Sequence, residues 1–247
     1  MKVGAKTTIL PLRSNLVSVG WVGEGDQDSL SNSQYGQPLL TLKKIQVTVP
    51  VTHEELIDSG VSIVDQISSD VAEAFAQKEG EGYVNGTASP TQPQGFMNPG
   101  AITQETNSGN ATQLTWQSMS EVTGKIKTGY RPIYGFNRFT RANLLQMVDG
   151  VGRPLWQAGN IAAGIPNTIN GYSYIELPNM ADIGAGNYPV VFGDFAKGYV
   201  IGDGIEMRVI RDDYTSKREG KVEFTFYRRT TGLVRLAEAF AKIKISS

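Results

Sequence analysis

The sequence predicts an α+β fold, and three stretches predict it: a period-two alternation ending at Val51, a helical pattern from His53 to Glu79, and three strand-like runs closing the chain after Ile205. Ile45, Val47, Val49 and Val51 alternate with other residues, so they fall on one face of a strand. Leu56, Ile63, Ile67, Val71 and Phe75 recur at spacings of three, four or seven, which places them on one stripe of a helix. Ile205 to Arg211, Val222 to Arg229 and Leu233 to Ile245 read as long strands.

Residues 1 to 15 show no sustained period, and with Pro11 and scattered charges they read as an extended arm. Val17, Val19 and Trp21 fall on one face of a strand, so Leu16 to Val51 reads as a long two-stranded hairpin. Its polar tip holds Glu24-Gly25-Asp26-Gln27-Asp28 and Ser31-Asn32-Ser33-Gln34-Tyr35-Gly36. An isolated hairpin is marginal in water, so this one needs a surface to lie on, and a second subunit can supply it. Thr52 as N-cap and Glu55 at the third helical position form a capping box. Gly60 weakens the helix that follows without ending it. From His53 to Glu79 that helix would be about 40 Å long.

Gly80 to Gly109 is crowded with Gly, Pro, Asn and Thr and reads as a long loop, of a length usually functional or held by neighbours. A second helix is expected from Thr115 to about Lys127, with Trp116, Met119, Val122 and Ile126 on one face. Pro132 to Phe136 reads as a buried strand and Arg138 to Val148 as a short helix carrying Leu144, Leu145 and Val148. Asp149-Gly150-Val151-Gly152 ends it, and short strands punctuated by Gly and Pro follow Gly171.

With 247 residues, 40% of them hydrophobic, the chain is long enough to bury a sizeable core. No apolar run approaches the roughly 20 residues that span a bilayer, and the first residues lack the h-region of a secretory signal, so a soluble chain without membrane partners is expected. A formal net charge of -1 leaves no electrostatic footprint for tight nucleic-acid binding. Zero cysteines exclude disulfides, thiolate metal sites and a cysteine nucleophile. The single histidine, His53, sits in the capping box, and one histidine supplies neither a zinc site nor a catalytic triad. Asp26/Asp28, Glu54/Glu55 and Asp212/Asp213 are carboxylate pairs, but Glu54/Glu55 suit a helix N-terminus and the others suit turns. Neither phosphate-loop pattern is present, and Gly202-Asp203-Gly204 reads as a turn. No catalytic residue, cofactor or metal is expected. Arg228-Arg229 lies on a strand, where adjacent side chains point to opposite faces; either arginine can pair a carboxylate across a subunit boundary.

Several junctions then follow in order: Ala74-Phe75-Ala76 with Glu79, Tyr83-Val84-Asn85-Gly86, Pro93-Gln94-Gly95-Phe96, Gly152-Arg153-Pro154-Leu155 and Ile169-Asn170-Gly171-Tyr172. After them come Phe192-Gly193-Asp194, Arg211-Asp212-Asp213-Tyr214, Arg228-Arg229 and Ala237-Glu238-Ala239-Phe240-Ala241-Lys242-Ile243. In this order and spacing they resemble the major capsid proteins of the tailed bacteriophages, the Hong Kong 97 fold family. The resemblance runs from about Leu16 onward; the turn at Gly171 departs from it by carrying Tyr172 where the family has Pro.

The resemblance implies an N-terminal arm (1–15), an extended hairpin loop (16–51), a peripheral domain with a spine helix (52–129) completed by the C-terminal strands (205–247), and an axial domain (130–204) that packs around fivefold and sixfold centres. It implies a non-enzymatic protein that self-assembles, as hexamers and pentamers of itself, into an icosahedral shell enclosing double-stranded DNA without sequence-specific binding. Portal, scaffold and decoration proteins are implied partners. Assembly in the bacterial host cytoplasm and residence in the virion follow. The family often carries a charged scaffolding segment ahead of the shell domain, and none is visible in this sequence, which fits a processed chain or a separate scaffold. Alternatives are an encapsulin-type or gene-transfer-agent shell and, from another class, a hydrolase or ligand-binding domain with a deep polar pocket.

Members that crosslink use a Lys near the hairpin tip, an Asn in the peripheral domain and a Glu beside them; here the aligned positions hold Gln37, about Gly220, and Tyr227. The resemblance therefore implies a non-covalent shell. Expected inter-subunit contacts join the acidic tip, Glu24, Asp26 and Asp28, to Lys217, Arg218, Arg228 and Arg229.

Overall fold

The computed structural model describes residues 1–2, 7–9, 12–13, 35–36, 38–58, 63–148, 151–156, 168–204 and 207–246. The elements are, in order, β1 (Thr7–Ile9), β2 (Leu12–Arg13), β3 (Tyr35–Gly36), β4 (Leu39–Thr41), β5 (Lys43–Thr52), α1 (His53–Asp58), α2 (Ile63–Asn85), β6 (Gln104–Asn107), α3 (Trp116–Glu121) and β7 (Ile133–Phe136). Then follow α4 (Arg138–Leu145), β8 (Thr168–Ile169), β9 (Tyr172–Glu176), β10 (Val190–Gly193), α5 (Phe195–Gly198), β11 (Tyr199–Asp203), β12 (Arg208–Asp212), β13 (Lys221–Val234) and β14 (Phe240–Lys244).

Two sheets carry the molecule. The six-stranded sheet runs β6-β14-β10-β7-β9-β8. Its middle strand β10 is buried throughout, with Val190, Val191 and Phe192 all at 0% exposure. A strand covered on both faces needs no polar alternation. Leu114, Met119, Tyr134, Phe136, Leu144, Val190, Phe192, Ala241 and Ile243 form one core cluster, and Val84, Phe96, Ile102, Met180, Val191 and Phe240 another.

In the second sheet, β13 pairs with β5 along Lys221 to Thr230 on one side and, on the other, with β12 and β11 end to end. Ile45, Val47, Val49, Val51, Val222, Phe224 and Phe226 pack with Ile67, Val71 and Phe75 of α2. Lys44, Gln46, Thr48 and Pro50 alternate with them and are exposed, so the helix covers one face only.

The capping box forms as expected: Thr52 N–H donates to Glu55 Oε2 (3.1 Å) and Glu55 N–H to Thr52 Oγ1 (3.2 Å). The bond from Thr52 N–H and a second one from Thr52 Oγ1 (2.9 Å) hold the Glu55 carboxyl below its usual range. The expected helix from His53 to Glu79 is described as α1 and α2, with residues 59–62, including Gly60, outside the described residues. Its end is corrected, because α2 continues through Gly80 and Gly82 to Asn85. A Cβ at Gly80 would lie 3.0 Å from Asn179 Nδ2, and one at Gly82 3.0 Å from Pro93 Cγ, so close packing explains both glycines.

The loop expected from Gly80 to Gly109 also contains β6, which pairs in parallel with β14. The second helix is shorter than expected: Thr115 caps α3 by accepting the Ser118 N–H, and Val122–Lys125 tighten into a 3₁₀ turn. Helix α4 stops at Leu145; Leu144 is buried, whereas Leu145 and Val148 are exposed.

Two strand readings are corrected. Thr7–Ile9 and Leu12–Arg13 pair with Leu39–Thr41 and Tyr35–Gly36 in a single antiparallel register, Thr7 opposite Thr41 and Arg13 opposite Tyr35. The outgoing hairpin strand therefore includes residues read as an arm, while Ile45 to Val51 joins β13; Val17, Val19 and Trp21 lie outside the described residues. The run from Leu233 to Ile245 is two strands in different sheets. Gly198 O captures the N–H groups of Arg235 (2.7 Å) and Leu236 (3.2 Å), and a 3₁₀ turn at Ala237–Ala239 redirects the chain into β14.

Candidate assembly surfaces

The expected contact residues are distributed unevenly. Glu24, Asp26, Asp28 and Gln37 lie outside the described residues. Lys217 and Arg218 are exposed in a 3₁₀ turn between β12 and β13 that ends at Gly220, whose φ of 65° is left-handed. Upstream, Asp212 braces this turn: it accepts hydrogen bonds from Tyr214 N (2.8 Å), Thr215 N (3.1 Å) and Thr215 Oγ1 (2.6 Å), which lower its pKa. The Gly220 carbonyl accepts the His53 N–H at 2.9 Å, joining the turn to the start of α1.

Arg228 and Arg229 point to opposite faces. Arg228 faces α2 and is engaged within the chain, its Nε 3.4 Å from Glu79 Oε1 and its terminal nitrogen 3.1 Å from Asp203 Oδ1. Arg229 is exposed directly opposite Lys44, whose ammonium stands 5.0 Å from the Tyr227 ring centroid. Like charges facing each other across strands are unfavourable, so this end of the sheet face favours an anionic neighbour.

Sequence reading missed three features here. Strand β12 is exposed along most of its length, with Val209 at 48% and Ile210 at 52% exposure. Around the end of α4, Leu145, Val148, Val151 and Leu155 form an exposed apolar group. The third is the Glu79–Arg228–Asp203 cluster: burial pushes the Glu79 carboxyl up, Arg228 pulls it down, Asp203 pushes it up and the Tyr83 hydroxyl pulls it down, with a net upward shift. Burial likewise raises Tyr83 to about 12, and its hydroxyl bonds Thr230 Oγ1. One sequence signal for the cluster is that Glu79 is an acidic residue on a helix that otherwise turns an apolar stripe to the sheet.

Among the described residues no group of three or more His, Asp or Glu is arranged to hold a metal ion, and no helix is long and apolar enough to cross a membrane.

A model of the phage capsid family matches residues 4–245. The chain belongs to the phage capsid family. No curated protein sequence matches it. Among solved structures, it is similar to the capsid of a native GTA particle, with 25% identity and a TM-score of 0.88 over 100% of this chain and 87% of that one. A chain from Microbacterium phage Oxtober96 shares the fold at 18% identity and a TM-score of 0.76, over 100% of this chain and 88% of that one. One from Mycobacterium phage Cain does so at 17% and 0.74, over 99% and 87%. As a family member the chain is a structural shell protein, and its mixed helix and sheet fold is that of phage capsids.

Proposed function

We propose that the chain is the major capsid protein of a tailed-phage-type particle, assembling as pentamers and hexamers into a closed shell around double-stranded DNA. The observation that carries this reading is the family match from residue 4 to 245 together with a fold shared along its whole length with a capsid. The shell role is non-enzymatic. DNA is enclosed without sequence-specific contact, portal, scaffold or decoration proteins are the remaining partners, and assembly takes place in the host cytoplasm. Residues 52–129 and 205–247 act as the peripheral domain and 130–204 as the axial domain, with the apolar group at the end of α4 turned toward symmetry-related copies.

The acidic tip, Glu24, Asp26 and Asp28, pairs across subunits with the open cations Lys217, Arg218 and Arg229; Arg228 is the remaining candidate and has intrachain partners to compete with. Exposed pairs contribute only about 0–1 kcal/mol each, but a closed shell repeats each contact in every copy. Gln37, Gly220 and Tyr227 supply no lysine, asparagine and glutamate at the crosslinking positions, so the shell is non-covalent.

Electron microscopy of the purified chain tests the reading: closed particles are expected, their formation weakened by salt, with full-length monomers on a denaturing gel. A chain that stays monomeric under all assembly conditions overturns it, and a covalent ladder overturns the non-covalent lattice. A gene-transfer agent is the second reading, favoured by the high similarity to the GTA capsid. Sequencing the enclosed DNA separates the two.

A further inference from the structure

Where α2 crosses β13, one cation serves two carboxylates. Glu79 is only 11% exposed, and its Oε1 is buried without accepting a hydrogen bond, although Arg228 Nε approaches to 3.4 Å. Arg228 also reaches Asp203 Oδ1 at 3.1 Å, and Thr230 Oγ1 donates to the same oxygen at 3.2 Å. The ionisable groups facing Glu79 are Arg228 from β13, Asp203 from β11 and Tyr83 one turn along α2. Lys78, the adjacent residue, is turned to Glu81 at 2.7 Å. With both carboxylates ionised, the cluster holds one negative charge more than it neutralises, and Glu79 is the member most withdrawn from water.

Asp203 has a second role. Its N–H donates to the Met1 carbonyl at 2.9 Å, and Lys2 bridges to it in parallel, a few residues before the outgoing strand β1 of the hairpin. Asp203 thus links the sheet to the approach to the hairpin, and Arg228 carries the link on to the helix.

We propose that Glu79 is a proton-operated clamp, whose protonation seats α2 more tightly on β13 and, through Asp203, steadies the root of the hairpin. Proton uptake removes the excess charge and leaves Arg228 and Asp203 as a one-to-one pair. The raised pKa of Glu79 agrees with this geometry. Because the folded value lies above 4.5, the stabilisation is complete below 4.5 and is lost as pH rises through the folded value. The carboxylates with lowered pKa, Glu55, Glu105, Asp212, Glu219 and Glu238, act in the opposite direction and lose their contributions as pH falls through their lowered values. The range just above 4.5 therefore isolates Glu79.

The test is thermal unfolding of the full-length, unassembled chain between about pH 5 and 7, comparing wild type with Glu79→Gln and Asp203→Asn. Relative to Glu79→Gln, wild type is expected to lose stability as pH rises above 4.5. Glu79→Gln should flatten that slope and melt above wild type at the neutral end. Asp203→Asn should keep the slope but move it to lower pH, with weaker hydrogen-exchange protection of the residue-203 amide that donates to the Met1 carbonyl. An unaltered slope in Glu79→Gln overturns the proposal, as does an unmoved slope in Asp203→Asn. If Glu79→Gln does not fold, the carboxyl titration of Glu79 in the wild-type chain decides by nuclear magnetic resonance, a value at or below 4.5 being fatal. The shell reading survives such a failure, since no particle takes part in the measurement.

Discussion

The six-stranded half and the helix-backed half of this protein are built to different degrees of completion. In the first, β10 is enclosed, and Tyr134, Tyr172 and Phe192 pack ring against ring, with Tyr134 and Phe192 centroids 4.6 Å apart. In the second, one sheet face meets α2 while the other is open; even the inward Ile45, Val47 and Val49 are only half-buried, and β12 exposes apolar side chains at an edge. The first half closes its sheet core within one copy and leaves only the apolar group at the end of α4 for a neighbour. The second leaves edges and faces that a soluble monomer would ordinarily protect, as expected of a surface completed by neighbours.

Substitutions can break or sharpen this contrast. Phe192→Ala should have the largest effect on the subunit, destabilising it by about 3–5 kcal/mol, because the enclosed site cannot collapse around the cavity. Denaturant unfolding measures this, and a loss below about 1 kcal/mol would contradict the description of that half as a closed core. Thr52→Ala should cost about 1 kcal/mol by removing the reciprocal cap at α1, read by the same method. The smallest subunit effect is expected for Val209→Ser with Ile210→Ser, within about 0.5 kcal/mol of wild type. The same double variant should nevertheless fail to form shells by electron microscopy. Normal shell yield would show that β12 is merely an exposed strand.

The parts legible in the sequence are those decided by near neighbours. The capping box joins residues three apart, and the alternation of Ile45, Val47, Val49 and Val51 marks its buried face directly. Helix α2 ends later than the pattern predicts because glycine propensity argues for a stop, whereas close packing against Asn179 and Pro93 favours glycine inside the helix. The break between β13 and β14 was invisible because the apolar pattern runs on through it; the deciding partner, the Gly198 carbonyl, comes from a distant segment. Arg228 and Arg229 were separable by strand parity, but Glu79 and Asp203, which claim Arg228, are brought to it only by the tertiary fold.

Strand β5 also sets how the hairpin can carry load. The returning strand β4 leads through Leu42 into ten residues of β5 that lie antiparallel to β13. Their hydrogen bonds run across the strand direction. A neighbour tugging along the hairpin therefore loads that ladder in shear, sharing the force among many bonds, where a pull across the strand would unzip them one after another. The hairpin is a tether whose anchor is distributed along a strand, and the capped start of α1 stands at the far end of that anchor.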